Sequence, residues 1–319
     1  SDEDQFAMIW KEANKRFDEY GNDKIVGTNG FYAMKAHWNE HPDRDEAWAE
    51  QERSRIGEER FRREHECEFL IFDETLISSL VLADMEGTAP VETTGQVRWY
   101  KRPTPGHTYM VSLDPSMGTG GDFAAIQVFE LPTFEQVGEW QHNQTPMNQQ
   151  VRILQGINKH IHDTIMEKDS SATPQIFYSM ENNSIGEAAL MRVMDIGEEN
   201  IMGMFLSEPI RKGHRRKFRR GFNTTAKHKI DACTKFKELV ENDKMKIHSQ
   251  LLISELKDFV ASGMSYKAKP GQHDDLVSSC LLMTRMMKVL ADFDPKIFEK
   301  WTDRTSEITP MPIFGSFTG

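Results

Sequence analysis

Cysteine is nearly missing from this chain. Three residues, Cys67, Cys233 and Cys280, are scattered through 319 positions with no two close in sequence. That excludes a disulfide framework and any CxxC zinc site, and it is the usage expected in a reducing cytoplasm. Long apolar runs are missing too, since a membrane span needs roughly 20 such residues. The most hydrophobic stretch, Leu276 to Ala291, is broken by Arg285 and Lys288 and reads as a core helix. No G-x-x-x-x-G-K-[ST] segment occurs, so the chain has no P-loop ATPase site of its own. Excess positive charge is absent: the formal net charge is -11 and the pI near 5.5, so any nucleic-acid contact must come from a local basic patch. The first residues, SDEDQFAMIW, are acidic and amphipathic, unlike a secretory signal, and the missing initiator Met is expected of a fragment.

With 38% hydrophobic and 28% charged residues, there is enough apolar material for one sizeable core. The first ~70 residues are the most charged, and Asp43 to Phe69 reads as a solvent-laced helical segment. The organisation expected is a helical segment over 1–70, a linker over 71–95, the main domain over 96–292 and a flexible tail over 293–319. After Thr88-Ala89-Pro90, β-leaning runs appear at Tyr109 to Leu113, Phe123 to Leu131 and Gln136 to Gln141, joined by short turns as in an antiparallel meander. A helix over Met147 to Met166 follows, with Val151, Leu154, Ile157, Ile161 and Ile165 on one face. Then come a strand over Gln175 to Met180, a helix over Ile185 to Met194 and a strand over Met202 to Leu206. Thr224 and Thr225 offer N-caps for a helix running to Lys244. Further helices are expected over Leu251 to Ala261 and from about His273. The order β-β-β-α-β-α-β-α describes an α/β, RNase H-like mixed sheet flanked by helices, with a helical N-terminal extension.

Three acidic positions fall where that layout brings strand ends and a helix start to one edge. Asp114 ends the first strand, Glu181 ends the fourth, and Asp274 and Asp275 open the last helix. Clustered carboxylates suit hard, oxygen-seeking Mg²⁺ or Mn²⁺, and two such ions neutralise the attacking and leaving oxygens of phosphodiester hydrolysis. Taken singly, each has a plainer explanation: Asp114 as a turn former, Glu181 as a cap for the next helix, the Asp pair as complements of a helix dipole. Their joint order and spacing carry the functional reading.

The segments SLDPSMGTGGDFAA, YSMENNSIGEA and GQHDDLVSS resemble the three nuclease motifs of large terminase subunits from headful-packaging tailed phages. The stretch TTAKHKIDACTKFKELVENDKMKIHSQLLISELKDFV resembles the family's Lys-bearing helix followed by its I-H-S, E-L and F pattern. The resemblance runs from about Val97 to Val289, and FRREHECEF with LIFDETLISS resembles the exit from the terminase ATPase domain. It implies an RNase H-like (RuvC/integrase-type) endonuclease that uses two Mg²⁺ or Mn²⁺ ions to cut concatemeric viral double-stranded DNA. The catalytic and metal-binding residues implied are Asp114, Glu181 and one of Asp274 and Asp275, with Asp275 preferred. Asp122 is implied as an auxiliary ligand or supporting group. Where some relatives carry an acid shortly after the first Asp, this chain has Met117. His273 is read either as orienting a water or phosphate or as a simple cap, and His142 as structural. Partners implied are double-stranded DNA, the portal protein, the small terminase subunit and an upstream ATPase domain of the same subunit, with no membrane. The location implied is the host cytoplasm, transiently at the procapsid portal.

The only dense basic run, RKGHRRKFRR, sets seven Lys/Arg in ten residues within an acidic chain. Arg211, Lys212, Arg215, Arg216, Lys217, Arg219 and Arg220 are therefore assigned to DNA phosphates, on a hairpin beside the site. Lys227 and Lys229, early in the next helix, are each read as extending that groove or as surface decoration, and Lys227 is grouped with the DNA contacts. Two competing readings are an actin-like nucleotide-binding domain, which lacks a second phosphate hairpin here, and a non-catalytic DNA- or portal-docking domain, for which clustered carboxylates have no use.

Overall fold

The computed structural model describes residues 5–16, 23–67, 75–183, 185–209, 221–263 and 265–293. Helices are α1 (Gln5–Ala13), α2 (Glu46–Ile56), α3 (Glu58–His65), α4 (Ser79–Asp84), α5 (Met147–Lys168), α6 (Gly186–Ile196), α7 (Ala226–Glu241), α8 (Gln250–Asp258) and α9 (Asp275–Phe293). Strands are β1 (Glu92–Thr94), β2 (Val97–Trp99), β3 (Thr108–Asp114), β4 (Ala124–Leu131), β5 (Glu135–His142), β6 (Gln175–Met180), β7 (Met204–Phe205), β8 (Phe259–Ser262) and β9 (Ser265–Ala268). Seven strands form one mixed sheet in the order β1-β2-β5-β4-β3-β6-β7, and β8-β9 make a separate hairpin. The β3–β6 and β6–β7 pairs are parallel, while β3–β4 and β4–β5 form the antiparallel meander expected from the sequence.

Side-chain alternation divides the sheet's two faces between two apolar clusters. On β3, Tyr109, Val111 and Leu113 pack with α5 and α6, whose contributions include Val151, Leu154, Ile161 and Leu190. Met110 faces the other way, into a cluster built largely from α7, α8 and α9. The central strands β3 and β4 are buried almost throughout, which explains why they read as continuous apolar runs rather than alternating ones.

The sequence reading and the structure part in four places. The stretch 71–95, expected as a linker, contains α4 and β1, and Leu76, Ile77 and Leu82 are buried in the main core. The strands β1 and β2 escaped notice because three residues each are too short for a period to show. The helix expected over Leu251 to Ala261 stops at Asp258, and Phe259-Val260-Ala261-Ser262 forms β8 instead. The β-leaning Phe-Val pair and the turn at Gly263, with φ of 61°, decide for the hairpin. Finally, β7 is only two residues long, starting after Gly203, whose φ is 105°.

At the amino-terminal end, α2 and α3 bury Ala49 and Phe61 against Trp38, with Trp48 and Ile56 at the rim. An ion pair of 2.7 Å between Arg62 and Asp84 ties α3 to α4. No helix among the described residues is long and apolar enough to cross a membrane.

Candidate active site

The same alternation that buries Leu113 and Met180 on one face puts Asp114 and Glu181 on the other, at the carboxyl ends of neighbouring parallel strands. Pairing of Leu113 with Met180 and the bond from Glu181 N–H to the Leu113 carbonyl (3.1 Å) bring the two carboxylates level. The Glu181 side chain lies close enough for its charge to act on Asp114. Burial, then the charge of Glu181, holds the Asp114 carboxyl well above the usual range, with Asp275 and Asp274 adding to the effect. Sequence alone left open whether Glu181 caps the next helix. It does not: Asn183 does, its side-chain oxygen accepting from Ile185 N–H (3.0 Å) and Gly186 N–H (2.8 Å). The Asn183 amide also donates to Glu181 at 3.2 Å, so one residue starts α6 and orients the acid. Gly186 is required here, because a Cβ would sit 1.9 Å from the Glu181 carbonyl oxygen.

Helix α9 crosses this face, held close by small residues. Ser112 and Ser279, both fully buried, bond hydroxyl to hydroxyl at 2.8 Å, two residues before Asp114 and four after Asp275. The two acids at the helix start have different surroundings. Asp274 accepts from Ala268 N–H at 3.3 Å and lies 3.9 Å from the Lys229 ammonium. Asp275 is less exposed, accepts from Phe123 N–H, and is pushed up to about 6, chiefly by burial and then by Asp274.

Opposite the carboxylates stands a cationic wall. A cavity of about 190 Å³ is lined by Asp114, Glu181, Lys229, Thr224, Ser278 and Arg285, with Ala232, Leu281 and Leu282 closing it. Arg285 is pinned by Glu208, by Thr224 Oγ1 (2.9 Å) and by the Asn223 carbonyl (3.0 Å). The backbone of Phe222 extends the sheet beside Glu181, through bonds from Phe222 N–H to Met180 (3.1 Å) and from Asn182 N–H to Phe222 (2.7 Å). Glu208 N–H also reaches the Gly221 carbonyl at 3.2 Å. Glu208 and Gly221, which flank the basic run in sequence, are thus bonded to each other, and Phe222 pairs beside Glu181. Arg211, Lys212, Arg215, Arg216, Lys217, Arg219 and Arg220 themselves lie outside the described residues.

Other residues singled out in the sequence fall at graded distances from this centre. Asp122 is exposed but near enough to raise Asp275 by its charge. His273 Nδ1 stands 3.6 Å from an Asp275 oxygen, and its ring meets Phe123 edge-on. Met117 is exposed, and His142 bonds Thr145 Oγ1 at 2.7 Å, a local structural contact. Lys227 is exposed on the first turn of α7, whereas its neighbour Lys229 lines the cavity. Arg285 and Thr224 belong to the cavity wall although their sequence contexts gave little sign of it. Thr225 is the N-cap of α7 (3.2 Å to His228 N–H), which frees Thr224 for Arg285.

The donor set suits a hard divalent cation. All the candidate ligand atoms are carboxylate oxygens, and among the described residues no Lys or Arg ion pair reaches Asp114 or Glu181. Two carboxylates that act on each other this strongly disfavour joint ionisation, a repulsion that a bound divalent cation would relieve. Among the described residues no three His, Cys, Asp or Glu side chains stand close enough, as they lie, to enclose one ion. The direct contact is Asp114 to Glu181, with Asp275 as the third acid acting on it electrostatically.

A family model described as the terminase RNaseH-like domain matches residues 111–286, from inside β3 to within α9, so all three acidic positions fall in the match. Among solved structures, the chain is similar to the large terminase nuclease of thermophilic phage G20c, at 17% identity and TM-score 0.48, covering 66% of this chain and 96% of that one. It is also similar to the large terminase nuclease domain of Thermus phage P74-26, at 17% identity and TM-score 0.45, covering 66% and 93%. The human cytomegalovirus terminase nuclease domain aligns at 13% identity and TM-score 0.41, covering 66% and 94%.

Proposed function

The chain belongs to the terminase RNaseH-like domain family, and from that premise we propose that it is a divalent-metal-dependent endonuclease that cuts double-stranded DNA. The observation that carries this reading is the half-buried pair Asp114 and Glu181 at adjacent strand ends, with Asp275 acting on it from the start of α9. Asp114, Glu181 and Asp275 would hold two ions, Mg²⁺ or Mn²⁺, while Asp274, engaged with Ala268 and Lys229, and Asp122 act from the side. Two such ions supply charge neutralisation on the attacking and leaving oxygens of an in-line displacement. Hydrolysis forms a bond from water oxygen to phosphorus and breaks the bond to the 3′ oxygen, which takes a proton, leaving 5′-phosphate and 3′-hydroxyl ends.

The chain's own cations complete the site. Lys229 and Arg285 line the same cavity as the carboxylates and offset the negative charge of an incoming phosphate. The basic run Arg211 to Arg220, which in sequence leads into the Phe222 segment paired beside Glu181, tracks the DNA backbone without reading bases, as suits a cutter of low sequence specificity. Biologically the reading is cleavage of concatemeric viral DNA at the start and end of genome packaging. It takes place in the host cytoplasm at the procapsid portal, with the small terminase subunit and an ATPase domain of the same subunit as partners.

The test is supercoiled-plasmid cleavage in Mg²⁺, Mn²⁺ or EDTA, comparing the chain with Glu181→Ala. Metal-dependent nicking and linearisation that the substitution abolishes is the expected result. Cleavage that persists in EDTA, or in Glu181→Ala, overturns the reading.

A further inference from the structure

The E-L-K-D-F segment has no role in the chemistry described so far, yet it carries a buried acid aimed at the start of α9. Glu255, on α8, is only 9% exposed. One of its oxygens accepts two backbone N–H groups of the first α9 turn, Leu276 at 2.8 Å and Val277 at 3.1 Å. Its other oxygen accepts from the Gln141 amide of β5 at 2.7 Å. A single side chain therefore joins α8, the sheet and the helix start in the residues that directly follow Asp275.

A helix start leaves its first N–H groups without intrahelical partners, and they must be met by a side chain, water or ligand. In α9 the residues before the helix do not supply the whole cap. Asp274 turns its side chain to Ala268 N–H and Lys229, and Asp275 takes the N–H of Phe123. The cap for Leu276 and Val277 comes from another helix instead, and so fixes where α9 begins relative to β5 and, through the meander, relative to Asp114. The Ser112–Ser279 contact sets how near α9 lies to the sheet at its first full turn, and among the described residues it is Glu255 that holds the N–H groups of Leu276 and Val277.

Resting on the metal-dependent reading above, we propose that Glu255 is a positioning residue that places Asp275 against the Asp114–Glu181 pair through its bonds to the α9 amides, and that metal affinity depends on it. It touches neither ion nor DNA. What matters is the reach and geometry of an acceptor at this point. Gln keeps an acceptor of the same length, and the Gln141 amide can flip to meet it. Asp keeps a carboxyl group but is one methylene too short to span the gap, and Ala leaves buried donors unpaired.

The experiment is Mn²⁺ titration by calorimetry on the 319-residue chain and on Glu255→Ala, Glu255→Asp and Glu255→Gln, with plasmid-cleavage kinetics alongside. Loss of a group that orients metal ligands typically costs about 10–100-fold in metal affinity or activity. Glu255→Ala and Glu255→Asp are expected to weaken Mn²⁺ by that order and to lower kcat, with KM for DNA changed less than about twofold. Glu255→Gln is expected to stay within a few-fold of the unsubstituted chain. Should Glu255→Ala fail to fold, the Asp and Gln pair decides: Asp as good as the parent, or Gln as poor as Ala or Asp, overturns the proposal. Mn²⁺ binding that ignores every substitution overturns the role of Glu255 alone. No Mn²⁺ binding by the unsubstituted chain overturns the metal reading and this inference with it.

Discussion

Ser112 of β3 and Ser279 of α9 grip each other reciprocally: each hydroxyl reaches the other's backbone carbonyl, at 2.9 and 3.2 Å. Small side chains here let the helix lie close over the strand that ends in Asp114. Ser279→Leu inserts bulk into that contact, and overpacking of this kind costs typically about 1–3 kcal/mol. The expected outcome is a lower melting temperature together with loss of DNA cleavage, because α9 must lift away from the sheet. Denaturant unfolding and plasmid cleavage on the same preparation check it. A destabilised protein with full activity would show that the height of α9 is unimportant to the site.

Stability of the metal-free protein should fall as pH rises. Burial, and to a lesser extent the Asp275 charge, pushes the Glu255 carboxyl from 4.5 up to about 8 against its stabilising hydrogen bonds. A carboxyl whose folded value lies above its unfolded one takes up a proton on folding. Its contribution is therefore fully present below the unfolded value and is lost as pH climbs towards the folded one. Glu255→Gln, which cannot ionise, should flatten the pH dependence between 4.5 and about 8. Thermal unfolding in EDTA over that range reads the slope, and an unchanged slope in the variant refutes the assignment.

Metal binding should appear as stability. An ion that binds only the folded chain adds about 2.7 kcal/mol at one hundred times its Kd. Asp114→Asn is expected to abolish that increment. It should also raise the metal-free melting temperature at neutral pH, because it removes a carboxyl whose ionisation the folded site disfavours beside Glu181. A normal Mn²⁺-induced rise in Asp114→Asn would remove Asp114 from the ligand set.

DNA affinity should depend on the basic run and not on the acids. Replacing Arg215, Arg216 and Lys217 together with Ala should weaken duplex binding equally for all sequences. It should also lower the slope of log K against log salt by about 0.9 for each phosphate no longer neutralised. Anisotropy titrations at several salt concentrations measure this, with Mn²⁺ affinity expected to stay at the parent value. A salt slope identical to the parent's would make the run a solvated surface segment.

Period and punctuation in the sequence were enough to place β3, β4, β5, β6, α5 and α7 to within a few residues, because each is long and mostly buried. The strand-end positions of Asp114 and Glu181 were legible in the sequence, whereas the parallel pairing that brings them level is shown by the structure. The remainder depended on bonds between residues far apart in sequence. Glu255 caps the start of α9 from 21 residues before Leu276, by side-chain bonds that no local pattern announces. Lys229 and Lys227 are two apart on α7 and read alike, yet helical geometry turns only Lys229 into the cavity. The choice between Glu181 and Asn183 as the α6 cap turned on a backbone approach at Gly186 that shows only in three dimensions.

The most direct test of the central claim is anomalous diffraction from Mn²⁺-soaked crystals of this chain, collected on both sides of the manganese edge. The account predicts manganese peaks bounded by the carboxylates of Asp114, Glu181 and Asp275, which are absent from Glu181→Ala crystals. Peaks elsewhere, or none beside Asp114 at saturating Mn²⁺, would contradict it.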